Sequence, residues 1–198
     1  MKINPPLAVL SLVGIALAVL AVTNKPSSEQ TRLSQERCHI AEVYLEHVLA
    51  DEYLGNLDIP FYPSVERTSL NIPLGPPLGE DFGPIIKADP LYPLYLQAFE
   101  LDDVNPFEEC DNLRDFITDP SRSSKFTQVR PSTDAYDEEY AAVFLTISMP
   151  STDIARGEAI LFSGVTFAPL AGGGTEVYLR KDKEGGWHVK YEKPTWVS

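Results

Sequence analysis

The sequence predicts an α+β fold: an N-terminal helix and short helices packed on a C-terminal antiparallel meander sheet of four to five strands. Three observations predict it. One long amphipathic stretch follows Pro26, a Pro- and Gly-punctuated stretch fills residues 56–89, and the last third alternates apolar and polar residues between turn signals.

The chain opens on Met1-Lys2 and Pro5-Pro6, then runs from Leu7 to Val22 without a charge. A short basic start and an apolar run are the signature of a targeting segment. Sixteen uncharged residues exceed the usual core of a signal peptide and fall short of the roughly 20 that span a bilayer comfortably. Residues 1–22 are therefore expected to be a cleaved signal peptide or a membrane anchor. Lys2 places the N-terminus inside and the C-terminus outside, in the periplasm or beyond the outer side of the membrane. Residues 23–27 are a linker, and 28–198 are expected to form one globular domain, long enough for a single core.

Ser27 and Gln30 have the spacing of a capping box, in which a hydroxyl and a side chain three residues on satisfy each other's backbone N–H groups. A helix is expected to run to about Leu54, with Gly55 as its stop. Leu33, Cys38, Ile40, Ala41, Val43, Tyr44, Leu45 and Val48 form its apolar arc, His39, Glu42 and Glu46 lie opposite, and His47 falls at the margin.

Prolines 60, 63, 73, 76, 77 and 84 exclude regular helix from residues 56–89, because each removes an N–H and clashes with the preceding turn. Leu57, Phe61, Leu70, Ile72 and Ile85 still need burial, so this stretch is expected to be an ordered irregular wrap. Short helices are expected near Pro90–Phe99 and near Pro106–Thr118, the second capped by Asn105 with Pro106 at its first position.

In residues 140–192, four segments read as strands: Tyr140–Met149, Glu158–Ala168, Thr175–Lys181 and Trp187–Glu192. Residues 182–186 make a hairpin connection, Gly172-Gly173-Gly174 reads as a flexible turn, and a further short strand is expected around Phe126–Val129. Alternation puts Val143, Leu145, Ile147, Val177, Leu179, Trp187, Val189 and Tyr191 on the core face. Phe144, Thr146, Ser148, Phe162, Thr166, Glu176, Tyr178, Arg180, His188 and Lys190 take the other.

The net charge of −13 repels phosphate backbones and argues against nucleic acid as a partner. Cys38 and Cys110 are the two cysteines, and an even count in an exported chain fits one disulfide. No sequence pattern carries chemistry. His39 and His47 stand about 12 Å apart along a helix, too far to share an ion. The acidic stretch Glu100–Asp119 and the cluster Asp134, Asp137, Glu138 and Glu139 lack the grammar of a calcium loop. Ser163 lacks the Gly-x-Ser-x-Gly elbow, and no cofactor fingerprint occurs, so no cofactor or metal is expected.

The last fifty residues carry Ile147-Ser148, Glu158-Ala159-Ile160-Leu161-Phe162, Pro169-Leu170-Ala171-Gly172-Gly173-Gly174, Val177-Tyr178-Leu179-Arg180-Lys181, Gly186-Trp187-His188-Val189 and Trp196-Val197-Ser198. In this succession the chain resembles the ending of a loose group of uncharacterised exported bacterial proteins. Their Gly-rich turn often carries cysteines, where this chain has Ala171. The resemblance implies export and a meander, and no activity.

The function expected is therefore a non-enzymatic binding or interaction module of the cell envelope, for an unknown protein or a small anionic ligand. The membrane would be engaged only through residues 7–22. Tyr178, Arg180, His188 and Lys190 are the candidate ligand-binding residues, because cations gathered on one face of an acidic protein need an anionic counterpart. That counterpart is either Glu100–Asp119 of the same chain or a ligand. The alternatives are an extracytoplasmic hydrolase using a carboxylate or His47 as general base, and a structural accessory subunit of an envelope complex.

Overall fold

The computed structural model describes residues 27–64, 89–122, 124–132, 141–168 and 171–197. The apolar segment expected to target the chain, most of the expected Pro-rich wrap and the cluster at 134–139 lie outside the described residues. Among the described residues no helix is long and apolar enough to cross a membrane. The chain divides into two compact units, residues 1–33 and 34–198.

Helix α1 spans Ser28–Ala50. Its capping box forms: Ser27 N donates to Gln30 Oε1 at 2.8 Å and Gln30 N to Ser27 Oγ at 3.2 Å. The helix ends four residues before the expected Leu54. The Asp51 carboxylate accepts from the backbone N–H groups of Tyr53 and Leu54 at 2.9 and 2.7 Å. This side chain offers the backbone an alternative to another α-turn, and a 3₁₀ turn, Leu54–Asn56, follows. Gly55 is required there for space, since a Cβ would stand 2.2 Å from the Leu49 carbonyl oxygen.

Strand β1, Phe61–Pro63, lies within the stretch expected to be irregular. It pairs in parallel with β2, Val143–Ile147. The strand expected around Phe126–Val129 reduces to one bridge between Phe126 and Phe61. Helix α2, Tyr92–Glu100, appears where the sequence places it. The single helix expected over 106–118 is two: α3, Pro106–Glu109, and α4, Asp111–Thr118. Asn105 caps α3, its Oδ1 accepting from Phe107 N at 2.8 Å. The break falls on Cys110, whose backbone is extended at φ −105° and ψ 109°. There its sulfur joins that of Cys38, so the disulfide ties α1 to the α3–α4 junction.

The remaining strands are β3, Ser151–Asp153; β4, Glu158–Ala168; β5, Ala171–Lys181; and β6, Trp187–Val197. The sheet order is β1-β2-β4-β5-β6, with β3 also on β4. β2 pairs with residues 163–166 of β4 and β3 with 158–160, so the two are successive halves of one rail interrupted near Pro150. Antiparallel β4, β5 and β6 complete the expected meander.

Gly172-Gly173-Gly174 is strand rather than turn, facing Thr166, Val165 and Gly164 of β4. A Cβ on Gly172 would lie 2.6 Å from the Val165 carbonyl oxygen, so this ladder admits glycine there. β6 carries two register shifts. One sets Val189 opposite Leu179 and Tyr191 opposite Tyr178, leaving Lys190 between. An inserted residue reverses the alternation beyond it, and so Tyr191 moves from the expected core face to the other.

The inner face carries the main core. Val143, Leu145, Ile147, Val177, Leu179 and Trp187 pack with Ile40, Tyr44 and Leu45 of α1 and Leu113, Phe116 and Ile117 of α4. A second, smaller cluster covers the outer face, where Leu94 and Ala98 of α2 meet Ile160 and Phe162, with Leu91, Tyr95 and Tyr178 beside them.

Candidate functional site

The outer face is built by register. Glu158, Ile160 and Phe162 on β4 stand opposite Arg180, Tyr178 and Glu176 on β5, which in turn face His188, Tyr191 and Lys193 on β6. Opposed residues on paired strands share a face, so these nine side chains form one surface. The register places Tyr178, Arg180 and His188 on this one face. Lys190 is exposed at the bulge and has no partner in the register.

Tyr178 and Tyr191 stack at 5.0 Å between ring centroids, with an interplanar angle of 19°. Tyr191 is 45% exposed, and Tyr178 is half covered by the α2 cluster. The result is a shelf, floored by two tyrosines and walled on one side by α2.

Two carboxylates are buried at the ends of this shelf. Glu176 is 1% exposed, and its Oε1 accepts from the Tyr95 hydroxyl at 2.8 Å. Lys193 Nζ stands 4.0 Å from its Oε2, beyond hydrogen-bond reach. Glu158 is 8% exposed. Its Oε2 lies 2.6 Å from Arg156 Nη2 without the alignment of a hydrogen bond. Arg156 Nη1 donates to the Pro90 carbonyl at 2.9 Å, and Gln97 accepts from the backbone N–H of Thr152. Three polar contacts, Tyr95 to Glu176, Arg156 to Pro90 and Thr152 to Gln97, thus anchor α2 and its approach to the sheet.

The phenols report this environment. Burial, then the Glu176 carboxylate, pushes Tyr95 well above the ordinary tyrosine range. Burial and then Glu158 raise Tyr178, with Arg180 opposing. Burial followed by Glu176 and Asp89 raises Tyr191. All three phenols stay protonated at neutral pH, and the Tyr95 hydroxyl donates to Glu176.

The cations of the face are arranged differently from the expectation that Glu100–Asp119 folds over them. α4 packs on the inner face through Leu113, Phe116 and Ile117. His188 instead meets Asp182 of its own hairpin, Nε2 to Oδ2 at 2.7 Å. Asp182 is held below the usual carboxylate range by His188 first and by the Gly186 and Glu184 N–H groups. Arg180 remains exposed.

On the opposite side, His47 Nε2 lies 3.5 Å from Glu192 Oε2, both half-exposed. Ser163 is 3% exposed, so it presents no accessible nucleophile to that imidazole. Among the described residues no group of three His, Cys, Asp or Glu side chains converges as a metal would need.

Sequence reasoning missed Tyr95, Tyr191, Glu158 and Lys193 as parts of this face, and took Glu176 for an ordinary outward residue. Its burial depends on where α2 docks, which no local pattern encodes. The Tyr191 placement depends on a bulge.

No protein-family model matches the chain, and neither the curated proteins nor the solved structures contain a match.

Proposed function

We propose that this chain is a non-enzymatic binding module of the cell envelope, carried out of the cytoplasm by its apolar N-terminal segment. Its ligand site is the outer sheet face around Tyr178, Arg180, His188 and Lys190. The segment 7–22 and the Cys38–Cys110 disulfide support the compartment, because buried disulfides persist mainly where the surroundings are oxidising.

The observation that carries the binding role is the half-exposed Tyr178–Tyr191 stack with Arg180 beside it on the same strand face. A stacked aromatic pair left uncovered offers apolar area with polar tips, and an adjacent guanidinium supplies a fork suited to a carboxylate or phosphate. The ligand is a small anion carrying a flat or apolar part. Thermal unfolding with phosphate, citrate and benzoate tests this, since a ligand that binds only the native state raises Tm. At least one anion should raise Tm in the wild type and fail to do so in Arg180→Glu. Equal responses in both proteins, or none in either, remove the site.

A further inference from the structure

We infer that the ligand of this face carries a cationic group as well as an anion, and that Glu176 receives the cation, which makes the ligand class short linear peptides with free ends. The inference rests on the outer face being the binding site. Its starting point is one atom. Glu176 Oε2 is enclosed, on a side chain 2% exposed, and among the described residues it accepts no hydrogen bond, while the other oxygen is satisfied by Tyr95. A buried carboxylate oxygen without a donor is costly to maintain, and such an atom in a native structure calls for a missing partner. Lys193 covers this position without completing it. Its ammonium stops at 4.0 Å, on a side chain 63% exposed, so it is a displaceable stand-in for a donor that comes closer.

The spacing selects the ligand. Glu176 and Arg180 lie four residues apart on β5, on one face, with the stacked Tyr178 between them. At about 3.3 Å per residue their separation along the strand is about 13 Å. An extended tetrapeptide spans about 13–14 Å at most. Its ammonium then reaches Glu176, its carboxylate reaches Arg180, and its backbone lies over the tyrosines. A single amino acid is too short to bridge both ends.

Calorimetric titration of the full chain with tetraglycine, N-acetyl-tetraglycine and tetraglycine amide tests this. The wild type should bind tetraglycine about tenfold more tightly than the acetylated form, the value of one charge-assisted hydrogen bond. Glu176→Gln, which keeps an oxygen for Tyr95, should abolish that preference while retaining the preference for a free carboxylate over the amide. Arg180→Glu should do the converse. Equal binding of free and acetylated peptide by the wild type, with the carboxylate still required, sinks this inference alone and leaves Glu176–Lys193 a plain ion pair. Failure of the carboxylate to matter sinks the anion site proposed above, and no binding of any peptide overturns the peptide class. The wild-type comparison needs no variant, so a misfolded Glu176→Gln protein does not rescue the inference.

Discussion

The two faces of the sheet are covered by different means. Over the inner face lie residues 38–49 of α1 and α4, apolar on the buried side and joined by a disulfide. Over the outer face, among the described residues, lies the nine-residue α2, held by Leu94 and Ala98, by the bond from Tyr95 to the buried Glu176 and by polar contacts to backbone groups. Apolar packing is non-directional and tolerates approximate fit, whereas buried carboxylates tolerate little, because each unmet oxygen carries its desolvation cost. The contrast teaches where stability and specificity reside. The inner face secures the fold, and the outer face holds charged groups in fixed places at a cost to stability.

The largest effect should come from the inner face. Replacing both cysteines by Ala removes a link across 72 residues of sequence and should lower stability by about 2–5 kcal/mol, measured by urea unfolding. Where both proteins are folded, the anion response of the outer face should be unchanged. Loss of that response in the folded variant would break the division between the faces.

Smaller, and more telling, is a pair of Tyr→Phe changes. Tyr95→Phe leaves the buried Glu176 without its one hydrogen bond and should cost about 1–3 kcal/mol. Tyr44→Phe on the inner face removes a buried hydroxyl that holds no carboxylate and should cost about 1 kcal/mol. Equal costs in thermal unfolding would show that the charge on Glu176 contributes nothing to the difference.

The smallest effect is a pH dependence at the seam between α1 and the sheet. Burial raises Glu36, but Lys181 and the Trp187 indole N–H, which donates at 2.7 Å, together hold it below the usual range. A depressed carboxylate stabilises the fold above its unfolded pKa and loses that contribution as pH falls through its folded pKa. Glu36→Gln should therefore cost about 1 kcal/mol at pH 7. The deficit should shrink as pH falls below about 4.3. A deficit that persists unchanged at low pH would rule out the charge as its origin.

Much of the inner face was legible in sequence. Alternation identifies Val143, Leu145, Ile147, Val177, Leu179 and Trp187, and helical spacing identifies Ile40, Tyr44 and Leu45, because burial on one face imposes a period that a single strand or helix displays. The capping box and the cysteine pair were legible for the same local reason. The outer face was less so. Tyr191 is displaced by a bulge, and bulges leave no sign in alternation until the partner strand is known. β1 is three residues long and ends on Pro63, too short to show a period. The three glycines of β5 imitate a turn because their reason for being Gly, close approach to Val165, lies on another strand. Glu176 is buried by a helix some eighty residues earlier in the chain, through a contact that only the assembled fold creates.

Among the described residues, β6 ends the sheet with eleven residues that have no neighbouring strand on one side. A flat, apolar margin of that length is a template on which chains add to one another and grow into fibrils. This one is interrupted by two register shifts and carries Lys190, Lys193 and Pro194, a combination that spoils the regular row of N–H and C=O groups and sets like charges against an incoming copy. Such a margin disfavours ribbon-like polymerisation in concentrated solution and the addition of a peptide as a seventh strand.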